Sequence, residues 1–227
     1  MEPIKKQRLL IAVAALGYFV DIYDLILFGI VRIPSLTDLG VPSSELQSTG
    51  ILLLNMQMAG MLIGGFLFGV LGDIKGRVTV LFGSIVLYSV ANISNGLVTS
   101  IPAYAFVRFL AGLGLAGELG AGITLVSETM SKEKRGYGTM LVVTFGALGA
   151  VVAALIADEF SWRMSYFVGG GLGLLLLLLR VRAMESGMFN ELPKKDQKVM
   201  SFLRIIGKKE LFIKYLRCIL IGVPVWY

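Results

Sequence analysis

Six long apolar stretches constrain the fold of this chain more than any other feature. Each is long enough to cross a bilayer as a helix, which takes about 20 mostly apolar residues. They are rich in Leu, Gly and Ala and too long to be the strands of a membrane barrel. The hydrophobic fraction of 56% is also far from that of a soluble domain. The sequence therefore predicts an all-α membrane protein with helices at roughly 9–33, 46–72, 76–98, 103–127, 137–157 and 162–180.

This pattern divides the chain into three segments. Residues 1–181 form the predicted six-helix transmembrane bundle, residues 182–210 a cytoplasmic linker with a basic amphipathic helix, and residues 211–227 the start of a seventh transmembrane helix. Residues 1–20 resemble a signal peptide, but their apolar run continues to about Ile33, which is too long for a cleaved leader.

Lys and Arg residues indicate the orientation. They lie before helix 1, between helices 2 and 3, between helices 4 and 5, and after helix 6, where ten fall between Arg180 and Arg217. The opposite loops, near 34–45, 99–102 and 158–162, contain none. Because cytoplasmic loops carry the excess of positive residues, we expect a multi-pass protein of a cell membrane, such as a bacterial inner membrane, with a cytoplasmic N-terminus. The net charge of +6 is spread over these loops, so nucleic-acid binding is not expected.

Charged residues inside the apolar spans point to transport. Asp21 and Asp24 lie within helix 1, and a carboxylate in a membrane helix usually faces a water-filled cavity or a partner charge. Arg108, and less directly Arg32, are the available cations. At about 1.5 Å of rise per residue, Asp24 and Arg108 lie roughly 10 Å and 8 Å below the outer surface, so the two side chains can meet.

A second acidic position adds to this pattern. Asp21 shares a helix face with Asp24, and two close carboxylates do not easily both stay charged, so one of them is expected to hold a proton. Glu118 lies deeper towards the cytoplasm and is a candidate second proton station or substrate contact. The alternative for each acid is a static ion pair.

Uncharged polar residues in the spans are candidate contacts for a polar solute, or else hydrogen-bond partners of neighbouring helices. The candidates are Tyr23, Asn55, Gln57, Tyr88 and Asn92, with Tyr18 as a further residue that could line the cavity. Small residues recur four apart in helices 2 and 4, a spacing that lets helix backbones approach closely. We assign these to packing: Gly60, Gly64, Gly65, Gly69, Gly112 and Ala116.

The loop between helices 2 and 3 carries the most specific motif. It reads Gly69-Val-Leu-Gly-Asp73-Ile-Lys75-Gly76-Arg77, in which Gly76 permits a tight reversal with positive φ. This resembles the Gly-x-Leu-x-Asp-x-x-Gly-Arg signature of the major facilitator superfamily. The end of helix 4 adds Glu128 and Arg135, seven apart, which is similar to the cytoplasmic Glu/Arg pair of sugar porters and metabolite–proton symporters. Trp162-Arg163 and Glu185-Ser186-Gly187 resemble further motifs of these families.

The resemblance implies the N-terminal half of a twelve-helix transporter, built from two inverted three-helix repeats. It implies a cytoplasmic gate formed by Gly69, Asp73, Gly76, Arg77, Glu128 and Arg135. It also places helix 1 beside helix 4, so that Asp24 pairs with Arg108. The expected partners are a small polar solute, protons, the lipid bilayer, and either a missing C-terminal half or a second copy.

The predicted function is secondary active transport of a small polar solute by alternating access, with proton-coupled symport through Asp24, Asp21, Arg108 and Glu118. An uncoupled facilitator and a non-transporting receptor or assembly protein on the same fold are the alternatives. An enzyme is not expected, because the sequence shows no nucleophile–base pair. A metal site or cofactor is not expected either, since the chain has a single Cys and no His.

Overall fold

The computed structural model describes residues 3–75, 77–129, 135–185, 210–214 and 216–217. Within them, six long helices follow one another with short connections. They are α1 (Pro3–Asp38), α2 (Leu46–Lys75), α3 (Arg77–Leu97), α4 (Ile101–Thr129), α5 (Arg135–Glu159) and α6 (Trp162–Glu185). The predicted all-α bundle is confirmed. Most of the predicted linker and seventh helix lies outside the described residues, as does the reversal at Gly76.

Helix α1 continues past the point where the apolar run predicts its end. It includes Pro34 and runs to Asp38, where Gly40 ends it with a φ of +81°. The Val41 amide donates to the Leu36 carbonyl at 3.0 Å, so the chain reverses through the left-handed glycine turn typical of helix C-termini. Any other residue at position 40 would be strained there.

Five of the described helices contain a stretch long and apolar enough to cross a membrane: α1, α2, α3, α5 and α6. Helix α4 is not among them, and its side chains are described only as far as Glu118. These spans are those of a multi-pass membrane protein.

The helices pack in a pattern that relates α1–α3 to α4–α6. Helix α1 packs most extensively on α5, and α2 correspondingly on α4, while α3 lies against α4 and α6. Exchanging the first helix with the fourth, the second with the fifth and the third with the sixth turns the contact of α1 with α5 into that of α4 with α2. This is the arrangement expected of two three-helix repeats.

Glycines permit the close packing of α2 on α4. In α2, a Cβ at Gly60 or Gly64 would collide with the backbone of α4 near Phe109 and Leu113, and Gly112 lies equally close to the Gln57 carbonyl. These three positions therefore have the packing role that their spacing predicts.

Two further glycines on α2 do not fit that prediction. A Cβ at Gly65 or Gly69 would meet nothing within 4 Å, because both lie on the exposed face of the helix. The packing role predicted for them is wrong within the described part of this chain. On the opposite side of the bundle, Gly146 and Gly149 of α5 make the corresponding close approach to Tyr18 and Phe19 of α1.

The outer faces of α2 and α5 are mostly apolar and exposed. Only 22% of the apolar stretch of each is buried, against 56% for α1 and α3. Leu62 on α2 and Leu155 on α5 are among the most exposed apolar side chains. These two helices are therefore the ones available to lipid or to further protein.

Candidate functional site: two buried charge centres

Arg108 of α4 lies at the middle of the bundle and joins three helices. Its Nη1 is 3.5 Å from Asp24 Oδ1 on α1, and its Nη2 donates to Gln57 Oε1 on α2. Gln57 Nε2 in turn donates to Asp24 Oδ2 at 3.5 Å. All three side chains are buried, and we call them the Arg108 centre. The predicted contact between Asp24 and Arg108 is present, and Gln57 closes it into a ring.

Aromatic rings complete the surroundings of Arg108. Its guanidinium carbon lies 4.5 Å from the ring centroid of Phe28 and 5.8 Å from that of Tyr166. The Tyr166 hydroxyl is 2.7 Å from that of Tyr104, which also contacts Ser35 at 3.3 Å. Ring faces attract cations, so the guanidinium is held by α1 and α6 as well as by its polar partners.

A second charge pair lies about ten residues further along α4. Arg180 of α6 donates from both terminal nitrogens to the carboxylate of Glu118, with Nη1 at 2.7 Å from Oε2. Each side chain is only 4% exposed. This forked geometry is the strong form of a guanidinium–carboxylate pair.

Helix α1 contributes two residues next to this pair. Gly17 offers no side chain there, which leaves room for the guanidinium. One turn later Asp21, 2% exposed, interacts electrostatically with Glu118 and Arg180 as well as with Asp24. We call Asp21, Glu118 and Arg180 the Arg180 centre. The four predicted proton-coupling residues therefore lie in two adjacent buried centres.

The candidate solute contacts fall in different environments. The Tyr23 hydroxyl donates to the Ser165 carbonyl at 2.9 Å, and that of Tyr88 to the Val20 carbonyl at 3.3 Å, so both phenols link helices. Asn92 lies next to Asp24, yet neither polar atom of its buried amide completes a hydrogen bond within the described structure. Asn55 is exposed in the middle of the outer face of α2, opposite Gln57.

The sequence matches the family model of the Major Facilitator Superfamily over residues 14–227. The chain belongs to this superfamily. Its curated relatives include a putative niacin/nicotinamide transporter of Bacillus subtilis, 29% identical over 230 residues, which cover all of this chain and 55% of the relative. The sialic acid transporter NanX of Escherichia coli is 32% identical over 91% of this chain and 51% of its own length. The chain thus spans about half the length of the curated relatives it matches.

Solved structures show the same fold. The proton:xylose symporter XylE, bound to a bromodeoxyglucose, superposes with a TM-score of 0.67 over 86% of this chain and 49% of that chain, at 18% identity. A partially occluded inward-open form of the xylose transporter XylE from E. coli gives the same TM-score over 93% of this chain and 58% of that chain. The fold of this superfamily member is therefore a six-helix half bundle.

Arg180 corrects the sequence analysis. Because it stands just before Arg182 and the basic segment, the sequence analysis placed Arg180 in the cytoplasmic loop. The structure instead buries it inside α6 against Glu118. Arg32 also differs from expectation: its aliphatic part packs on Gly50, its Nε makes no hydrogen bond among the described groups, and Arg108 is the cation on Asp24. Arg180 could have been recognised only from its distance to Glu118, which depends on how α4 and α6 pack. The sequence does not provide that distance.

The Trp162-Arg163 motif ties three helices together at the end predicted to face outward. Arg163 donates to the carbonyls of Gly96 and Val98 at 3.0 and 2.9 Å, which caps the end of α3. It lies 3.4 Å from Asp38 at the end of α1, and its guanidinium stacks 4.2 Å from the Trp162 ring. Trp162 also donates to Asp38 at 3.2 Å. We call this group the outer clasp.

The predicted cytoplasmic gate lies at the opposite ends of the helices. Asp73 belongs to the last turn of α2, Arg77 begins α3, Glu128 belongs to the last turn of α4, and Arg135 begins α5. The side chains of these four residues, like Gly76, lie outside the described part of the structure. Gly69 is described and exposed. The role of this group as a gate stays a prediction.

Proposed function

We propose that this chain forms the N-terminal half of a secondary active transporter that moves a small polar solute by alternating access and proton-coupled symport. The observation that carries the proposal is the Arg108 centre, a buried ion pair between α1 and α4 in a half bundle of a transporter superfamily. Charged residues at membrane depth are costly, and they mark ion and substrate pathways when they persist.

The proposed coupling step is protonation of Asp24. A proton on Asp24 removes the negative charge that faces Arg108 Nη1 and competes with the hydrogen bond from Gln57. The contacts between α1, α2 and α4 at this point then weaken together, because one carboxylate takes part in all of them. An inward proton gradient would drive uptake by repeating this step in each cycle.

The solute is proposed to lie between this half bundle and a second one. Asn55 supports this, because a primary amide at the middle of an exposed transmembrane face is poorly matched to lipid. The second wall would come from a C-terminal half or from another copy of this chain. Asn92, whose buried amide completes no hydrogen bond by distance and angle among the described residues and lies beside Asp24, is a buried position suited to a polar ligand.

Relatives suggest which solutes to test first. The similar proteins are named as transporters of niacin or nicotinamide, of sialic acid and of 3-(3-hydroxy-phenyl)propionate, all small polar organic molecules. We propose a solute of this general class. The placement of Lys and Arg supports a cytoplasmic N-terminus in a bacterial inner membrane.

Uptake by the full-length protein in proteoliposomes tests the proposal. Labelled nicotinate and sialic acid are offered with and without an inward proton gradient. Concentrative uptake that requires the gradient supports symport. Equilibration that ignores the gradient would instead support the uncoupled facilitator, in which both buried ion pairs are structural. Specific solute binding without any translocation would favour the non-transporting receptor.

A further inference from the structure

The two charge centres differ in their ratio of carboxylates to guanidiniums. The Arg108 centre holds one carboxylate, Asp24, and one guanidinium. The Arg180 centre holds one guanidinium but two carboxylates, Asp21 and Glu118. These five are the charged side chains that are buried in the described part of the structure. With every group ionised, the interior would carry one uncompensated negative charge.

The hydrogen bonds show where this excess lies. Arg180 directs both terminal nitrogens at Glu118, so the strong forked pairing is already taken. Arg108 is likewise occupied by Asp24 and Gln57. Asp21 is therefore the buried carboxyl group that receives no hydrogen bond from a guanidinium among the described residues.

The described groups around Asp21 supply no positive charge beyond that of Arg180. Glu118 faces it from α4 and Arg180 from α6, while Asp24 and Tyr18 lie on its own helix and Tyr88 on α3. On the α5 side, Gly146 packs against Tyr18 and presents no charge. An isolated carboxylate buried in an apolar interior is so unfavourable that the group neutralises instead.

We propose that Asp21 carries a resident proton in this conformation and that the Arg180 centre is a proton-storing site distinct from the Asp24–Arg108 pair. Its place in transport rests on the proposed function. The proton leaves the Asp21 hydroxyl and bonds to a carboxylate oxygen of Asp24, one helical turn away, so no other reactant is needed. Glu118 and Arg180 act as positioning residues, because their mutual pairing is what denies Asp21 a counter-ion.

Infrared spectroscopy of the full-length protein in lipid nanodiscs, without solute, tests this directly. A protonated carboxyl gives its own carbonyl band, separate from carboxylate and amide bands, and that band shifts in D₂O. The wild type is expected to show it at neutral pH. Asp21→Asn should remove it, because two carboxylates then face two guanidiniums. Asp38→Asn, at the exposed outer clasp, is the matched control and should leave the band unchanged.

Conservative variants locate the proton. Asp21→Glu should keep the band but displace it, since an Asp and a Glu side chain absorb differently. Asp24→Glu should leave its position unchanged. Melting temperature and monodispersity are measured for every variant, and Asp21→Asn is expected to fold because it removes no hydrogen bond of Arg180.

Four outcomes would overturn the proposal. The wild type could show no band of a protonated carboxyl, or the band could survive Asp21→Asn. The band could be displaced by Asp24→Glu and not by Asp21→Glu, or it could appear only when Na⁺ is withdrawn. The last result would mean that a sodium ion balances the excess charge. None of these readouts depends on transport. A resident proton in a protein whose uptake ignores the proton gradient would refute the proposed symport while leaving this inference intact.

Discussion

A Cβ built on Gly17 of α1 would lie 2.6 Å from Nη2 of Arg180 on α6 and 2.7 Å from Oε1 of Glu118 on α4. Both distances are well below the normal van der Waals contact distance. The buried ion pair between α4 and α6 therefore has its present geometry only because α1 has no side chain at this position. The missing side chain on α1 therefore allows the pairing between α4 and α6.

We predict that Gly17→Ala melts at a lower temperature than the matched variant Gly29→Ala, because the added methyl group meets the ends of the Arg180 and Glu118 side chains and these can move aside only by loosening their pairing. The added methyl group must displace the guanidinium, the carboxylate, or helix α1 itself. The measurement is the melting temperature in detergent. Gly29→Ala on the same helix is the control, because a Cβ there would meet nothing within 4 Å. Equal melting temperatures for the two variants would contradict the described contact.

Arg108→Ala is predicted to be the most damaging single change within the spans. It leaves Asp24 buried without its cation, and breaking a buried pair on one side costs about 3–5 kcal/mol. Arg108→Lys should recover only part of this loss, because a point charge cannot reach Gln57 and Asp24 in the same forked manner. Arg182→Ala, at an exposed position of α6, serves as the control. An Arg108→Ala variant that melts like the wild type would show that the pair contributes little.

Asp24→Asn is predicted to abolish proton-driven accumulation of solute while sparing some exchange. The neutral amide can still contact Gln57 and Arg108, so the fold should persist, but it cannot take up and release a proton. The assay compares gradient-driven uptake with counterflow in proteoliposomes of the full-length protein. Accumulation at the wild-type level would refute the role of Asp24 in coupling.

The outer clasp should depend more on Arg163 than on its ion pair with Asp38. Both side chains are partly exposed, at 34% and 54%, and exposed ion pairs contribute only about 0–1 kcal/mol. Asp38→Asn should therefore change the melting temperature little. Arg163→Ala also removes two hydrogen bonds to α3 and the stacking on Trp162, so a clearly larger decrease is expected. The opposite order would show that the ion pair dominates.

The cytoplasmic gate gives a prediction about conformational state. Asp73 and Arg77 flank the connection from α2 to α3, and Glu128 and Arg135 flank that from α4 to α5. We expect their charges to hold the outward-open state. Asp73→Ala should shift the population towards inward-open or slow turnover. Accessibility of single cysteines placed on each side of the membrane measures the shift. Unchanged labelling together with normal turnover would argue against the gate.

Periodicity and hydropathy were sufficient to predict the helices, because a bilayer imposes a minimum length that few soluble sequences reach. Depth showed only that Asp24 and Arg108 could meet, since it depends on helix rise and on where each span begins. The resemblance to the superfamily, not any property of a single helix, placed helix 1 beside helix 4 and so paired the two residues. The observed end of α1 differs because the helix continues beyond its apolar run, through Pro34 to Asp38, before the Gly40 turn ends it.

The Arg180 centre could not be predicted in the same way. Glu118 and Arg180 are 62 residues apart on α4 and α6, so only tertiary packing brings them together. Arg180 also precedes Arg182 at the boundary of the apolar run, where an arginine that faces the bundle interior and one that lies in a loop look alike in sequence. The outward position of Gly65 and Gly69 was missed for a related reason: small-residue spacing indicates a face for close approach but does not say which face has a neighbour.

Trp162 makes the charge state of the interior observable by light. Its ring stacks on Tyr104 at 6.1 Å between centroids and meets Tyr166 edge-on at 6.3 Å, and Tyr166 in turn lies over Arg108. Indole emission responds to nearby charge and to quenching by its neighbours. Two tryptophans fall within these 227 residues, so Trp226→Phe leaves Trp162 as the one indole among them. We expect its emission to report changes of charge at the Arg108 centre without an attached label.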